Sequence, residues 1–145
     1  PAPPVGGWVA FPPARPREGR AEATPYIYWL IVHSGPEEEV RELVAYAEEL
    51  LRVTPNPEKI LVATRCPLDL PRGFEAIDAY PVLHLFPAAQ KIISAAGFNI
   101  MSETEPYRDK HHPVPFPRPF DDQFARAAAR RSSKRKRFAT SLVTT

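Results

Sequence analysis

Tyr26-Ile-Tyr-Trp-Leu-Ile-Val32 is followed at once by His33-Ser-Gly-Pro-Glu37 and then by Val40, Leu43, Val44, Ala47, Leu50 and Leu51 at spacings of three and four. The first stretch is a continuous β-branched and aromatic run. It is too short for a buried helix and of the kind that forms a strand covered on both faces, so a central parallel strand is expected. Ser34-Gly-Pro-Glu37 offers an N-cap serine, a proline allowed in the first turn and a capping-box glutamate, which predicts a helix start. The apolar stripe then faces the sheet, with Glu38, Glu42, Glu48 and Glu49 outside, until Thr54-Pro-Asn-Pro57 ends the helix.

The same alternation continues. Lys59-Ile-Leu-Val-Ala-Thr64 reads as a second buried strand, Phe74 to Tyr80 as a third and Lys91-Ile-Ile-Ser94 as a fourth, with a turn or short helix over Leu83 to Ala89. A short helix after Asn99 is closed by Pro106. Pro113-Val-Pro-Phe116 is expected as an edge strand, where missing amide donors are tolerated. Pro119 to Arg131 is expected as a final helix with Phe120, Phe124, Ala127 and Ala128 on one face. Strand and helix patterns alternating through residues 26–131 predict an α/β, Rossmann-like three-layer domain with a mainly parallel sheet.

Composition bounds the rest. The chain has 145 residues, room for one core, and its 19 prolines with only 6 glycines exclude a collagen-like repeat. Its apolar runs are far shorter than the ~20 residues of a membrane-spanning helix. One cysteine, Cys66, excludes an internal disulfide and favours a reducing, cytoplasmic setting. It reads as a structural thiol. Residues 1–25, with 7 prolines, read as an extended arm or linker in which Trp8 and Phe11 are anchors laid across the domain surface or residues that faced a neighbouring domain. The only methionine is Met101, so Pro1 is read as a processed start or a cut. Residues 1–122 carry a net charge of −5 and residues 123–145 one of +7. The cluster Arg130, Arg131, Lys134, Arg135, Lys136 and Arg137 is read mainly as a solvated, flexible tail over 132–145. Its weaker alternative is salt-sensitive contact with nucleic acid or an anionic membrane, peripheral to the inner face.

In such folds ligands bind beyond the carboxyl ends of the strands. Two loops qualify. The His33-Ser34-Gly35 loop is expected to be peripheral, because Glu37, Glu38 and Glu39 would repel a diphosphate. The loop Ser94-Ala-Ala-Gly97 suits phosphate better: small residues allow close backbone approach, helix amides face the anion, and no acid appears before Glu103. Glu103 is then placed to accept hydrogen bonds from a ribose. Asp121, Asp122 and Gln123 suit sugar hydroxyls, or else cap the final helix. His111 and His112 with Asp109 lack metal-ligand spacing, so no metal is expected, and His33 and His84 read as packed histidines, His33 with a modest claim on a ligand. No Walker sequence and no Gly-x-Ser-x-Gly occur.

Ser94-Ala-Ala-Gly-Phe-Asn-Ile-Met-Ser-Glu103, followed by Val114-Pro-Phe-Pro117 and Asp121-Asp-Gln-Phe-Ala-Arg-Ala127, resembles the C-terminal, donor-binding domain of GT-B-type glycosyltransferases. The likeness is to the branch with the bacterial lipid-intermediate N-acetylglucosaminyltransferase and the diacylglycerol glycosyltransferases. The usual string there is His-Gly-Gly-x-Asn-Thr-x-x-Glu, later joined by Pro and Asp-Gln. Gly97, Asn99, Glu103, Pro117, Asp122 and Gln123 match, whereas Ala95, Ala96 and Ile100 depart and Tyr107-Arg-Asp-Lys-His-His112 replaces the usual Gly-x-Pro. The resemblance implies one half of a GT-B fold that binds a nucleotide sugar, a UDP-sugar, without a further cofactor. It implies that Ala96, Gly97, Phe98 and Asn99 hold the donor diphosphate, Glu103 the ribose, and Asp122 with Gln123 the sugar. It further implies a partner, an N-terminal acceptor domain or a separate chain, for hexosyl transfer. The alternative is a non-catalytic nucleotide- or partner-binding module with the same half fold.

Overall fold

Tyr28–Val32 is the innermost strand, β2, of the computed structural model, and Tyr28, Trp29, Leu30 and Ile31 are all buried. The structure describes residues 8–9, 27–65, 68–78 and 82–132. β1 (Trp8–Val9), β2, β3 (Lys59–Ala63), β4 (Phe74–Ile77), β5 (Lys91–Ala95) and β6 (His111–Val114) form one sheet in the order β1-β4-β3-β2-β5-β6. Every pairing is parallel. Apart from the two-residue β1, the order is third, second, first, fourth, fifth, that of dinucleotide-binding folds. The domain is therefore the expected α/β, Rossmann-like three-layer structure.

Alternation along β2 divides two cores. Trp29 and Ile31 face α1 (Glu37–Leu51), packing with Val40, Leu43, Val44 and Ala47 and with Ile60, Val62, Ile93 and Phe116. Tyr28 and Leu30 face the opposite layer, which contains the 3₁₀ turn Leu83–Leu85, Phe86, Ala89 and, from α2 (Phe98–Glu103), Ile100. The two bulkiest rings satisfy their polar tips: Tyr28 Oη donates to the Leu85 carbonyl at 2.6 Å, and Trp29 Nε1 to Gln90 Oε1 at 2.9 Å.

Several boundaries differ from expectation for identifiable reasons. Pro36, not Ser34, is the N-cap of α1, and no side chain caps it. Glu37 instead pairs with Arg41 one turn on. The third strand stops at Ile77, Asp78 follows it outside the strand, and the last two residues assigned to it, 79 and 80, lie outside the described residues. α2 ends at Glu103 and Pro106 sits inside a separate 3₁₀ turn, Glu105–Tyr107.

The last strand begins two residues before the expected Pro113, because the His111 ring is held in the interior. Its Nδ1 accepts from Arg130 Nη1 at 2.7 Å, and its Nε2 lies 2.8 Å from Ser94 Oγ. β6 is an edge strand, so Pro113 deprives no neighbour of a donor.

The final helix, α3, covers 123–132 and turns a different face inward from the one expected. Gln123, Ala127 and Arg130 are buried, whereas Phe120 and Phe124 are exposed, at 101% and 54%, as is Ala128. Polar anchoring decides this. Arg130 Nη2 donates to the Met101 carbonyl at 3.0 Å and to Glu105 Oε1 at 2.7 Å, and its Nη1 also reaches Thr104 Oγ1 at 2.9 Å. Arg130 thus leaves the solvated basic cluster and joins the core. His84 corrects the expectation the other way, being exposed rather than packed. Cys66, Phe11, nearly all of the proline-rich arm and residues 133–145 lie outside the described residues.

Leu30→Ala removes a side chain at the centre of β2 and is expected to cost about 2–5 kcal/mol in urea unfolding. Phe120→Ser, at a fully exposed ring, is expected to change stability by no more than about 0.5 kcal/mol.

Candidate functional site

A cleft of about 520 Å³ opens at the carboxyl ends of β2, β3, β4 and β5. It spans the point where the chain leaves β2 for β3 on one side while β5 lies on the other, the switch point at which open α/β sheets place ligands. Its walls are the His33–Gly35 loop, Thr64 and Arg65 after β3, Asp78 after β4, the start of α2, and Arg118 with Gln123. Both candidate loops therefore face one cavity.

The structure brings together His33, Ser34, Gly35, Gly97, Phe98, Asn99, Glu103 and Gln123, all of which line the cleft. Ala96 is fully buried and does not line it. Asp122 is also absent from the lining. Its Oδ1 accepts from the Ala125 amide at 2.9 Å, the geometry of an N-cap on α3. Asp121 is occupied too, by Arg126, whose Nη1 also donates to the Ala96 carbonyl at 2.6 Å.

Gly97 is the N-cap of α2 in ordinary extended backbone, φ −68° and ψ 158°. A Cβ there would meet only Ile100 Cγ2 at 3.9 Å and Gln123 Nε2 at 4.0 Å, ordinary contacts. Packing therefore does not demand glycine at this position, and the space it leaves belongs to the cleft. Gln123 fixes the turn from behind: its Oε1 accepts from the Ala96 amide at 3.2 Å and the Phe116 amide at 3.0 Å. Glu103, at the end of α2, is exposed to the cleft, and its carboxylate forms no hydrogen bond or ion pair with a described residue.

The first loop carries an arrangement that sequence reasoning missed. Glu39 is not a free repelling charge. Its Oε1 is 2.8 Å from His33 Nε2, and Arg118 reaches both oxygens at 2.8 Å across 79 residues of chain. Arg118, then His33, hold the Glu39 carboxyl below its ordinary range against the opposing effect of burial. The His33 ring also stacks on Phe116 at 5.7 Å. Gly35 is needed here, since a Cβ would stand 2.6 Å from His33 Nε2. Of the three acids in the first turn, Glu39 is thereby neutralised and Glu37 is paired with Arg41. Neither contact has a spacing signal: His33 and Glu39 are six residues apart across a loop and a helix start, and Arg118 comes from 79 residues on.

Set beside known proteins, the chain matches no family model, no curated protein and no solved structure. Among the described residues, no helix is long and apolar enough to cross a membrane.

Gln123→Ala would leave two buried amides without an acceptor. At about 1–3 kcal/mol for each group, a loss of about 2–6 kcal/mol is expected by chemical denaturation. The Glu39 clasp has a pH signature. Because its folded pKa lies below the ordinary 4.5, it stabilises the fold above that value and ceases to do so as pH falls through the lower folded value. In a series of urea midpoints against pH, Glu39→Gln should flatten this acid limb and lower the plateau near neutrality.

Proposed function

We propose that this domain is the nucleotide-sugar-binding half of a glycosyltransferase, with a UDP-sugar as donor and an N-terminal acceptor domain or partner chain needed for hexosyl transfer. One observation carries the reading: the Gly97 turn and the Glu103 carboxylate, unpaired among the described residues, converge on a cleft at the switch point of a Rossmann-ordered sheet. The resemblance of residues 94–127 to GT-B donor domains supports it.

The chemistry follows from the parts. Amides at the start of α2 would face the donor diphosphate, with no side chain at Gly97 to hold it away. Those dipoles stabilise the charge that grows on the diphosphate as the glycosidic bond to it breaks. Glu103 accepts the ribose hydroxyls. Gln123 spends its oxygen on backbone amides, so only its amide nitrogen remains to meet the sugar. Asp122 supports this edge through the α3 cap, and its part in sugar binding is indirect.

A second reading, a non-catalytic binding module with the same half fold, is favoured by the exposure of Phe98, Phe120 and Phe124, at 71%, 101% and 54%. Sugar transfer by the chain supplemented with its acceptor domain separates the two.

Titration calorimetry with UDP tests the donor site. Saturable binding by the wild-type chain is expected, with Glu103→Ala weakening it by about tenfold to a hundredfold, the ~1.5–3 kcal/mol of a charged hydrogen bond. Gly97→Ala should weaken binding while leaving the thermal midpoint in place. Absence of UDP binding at millimolar ligand, or unchanged affinity in both variants, would reject the reading.

A further inference from the structure

Between α2, the 3₁₀ turn Glu105–Tyr107 and α3 lies a second concavity of about 420 Å³. Phe98 and Met101 contribute apolar surface to it, and three arginines line it: Arg108, Arg126 and Arg130. Their counter-charges are fewer than they are. Arg126 is matched by Asp121. Arg108 and Arg130 share one carboxylate, that of Glu105, at 2.5 Å and 2.7 Å, and among the described residues Glu105 is the only acid lining the groove. Among the described residues, one positive charge on this wall is left without a carboxylate of its own.

The deficit is local and partly desolvated. The Arg130 side chain is only 5% exposed, and burial, with the neighbouring Arg108 cation, opposes its protonation while Glu105 favours it. Arg108 Nε is buried and has no acceptor. The Arg108 side chain is 31% exposed, so its guanidinium is within reach of a ligand while its Nε–H lacks an acceptor, and an oxyanion supplies both the acceptor and the missing negative charge. Guanidinium forks fit phosphate oxygens, and apolar walls strengthen such contacts by excluding water.

We propose that this groove is an oxyanion site, separate from the nucleotide cleft, that takes a phosphate group at Arg108 beside the Arg130–Glu105 pair. The source of the phosphate is either a small soluble phosphate or a phospholipid headgroup, and the test separates them.

The probes are inorganic phosphate, titrated against chloride at constant ionic strength, and vesicles of phosphatidylglycerol or of phosphatidylcholine. Backbone amide spectra of the full chain should show saturable, millimolar shifts confined to residues 98–108 and 126–131. Arg108→Gln should abolish them. Glu105→Gln, which removes the competing carboxylate, should tighten phosphate severalfold, a gain that a purely structural ion pair would not give. Gly97→Ala, which narrows the diphosphate end of the nucleotide cleft, should leave the Arg108-dependent shifts untouched, so a failed donor cleft and a failed groove are told apart. Vesicle binding that requires Arg108 and phosphatidylglycerol identifies the lipid source, and phosphate shifts without it identify the soluble one. The proposal is overturned if neither probe gives an Arg108-dependent signal, or if Glu105→Gln weakens phosphate binding.

Discussion

The constraint on which the rest depends is that β2 must be covered on both faces. Tyr28, Trp29, Leu30 and Ile31 are all buried, and alternation sends neighbours to opposite sides, so neither face can remain open to water. α1 covers one face, and the layer with Leu85, Phe86 and α2 covers the other. A strand so enclosed needs paired strands on both edges as well, and β3 and β5 supply them in parallel. The chain then leaves the centre toward opposite edges, and a crevice at the carboxyl ends of β2 and β5 follows from that branching.

Polar anchors set the finer geometry. The apolar core does not fix how α3 rotates; Gln123 and Arg130, two turns apart, do. Gln123 holds the backbone of the β5–α2 turn and of Phe116 together, while Arg130 ties α3 to α2, Thr104 and the edge-strand His111. With Arg130 donating to Nδ1, His111 is neutral and its Nε2 hydrogen is left for Ser94 Oγ, whose own hydroxyl donates to the Ala95 carbonyl at 2.8 Å. A buried network with this degree of satisfaction specifies one arrangement, because alternatives strand a donor in the interior. The cost is outward-facing Phe120 and Phe124.

Across the cleft, Arg118 and Glu39 join the loop before α3 to the first turn of α1. Glu39 is mostly screened from water and receives Arg118 on both oxygens, a geometry stronger than that of an open surface pair. The clasp turns what would be a repelling acid into a wall element with little net charge. It leaves Glu103 as the acid free to meet a ligand on the α2 side.

The amino-acid sequence determined the layer architecture, because strand runs such as Lys59–Ala63 and the α1 stripe are local patterns of burial with distinct periods. It also marked Gly97 and Glu103, which stand at the two ends of the short α2 and both line the cleft. Tertiary structure decided the rest. Whether Asp122 meets a sugar or caps a helix depends on where the Ala125 amide lies, and the inward face of α3 depends on acceptors in α2 and β6. The pairing of Glu39 with Arg118, 79 residues away, carries no periodic or local signal, since a long-range ion pair is set by the distance between folded loops rather than by spacing in the chain.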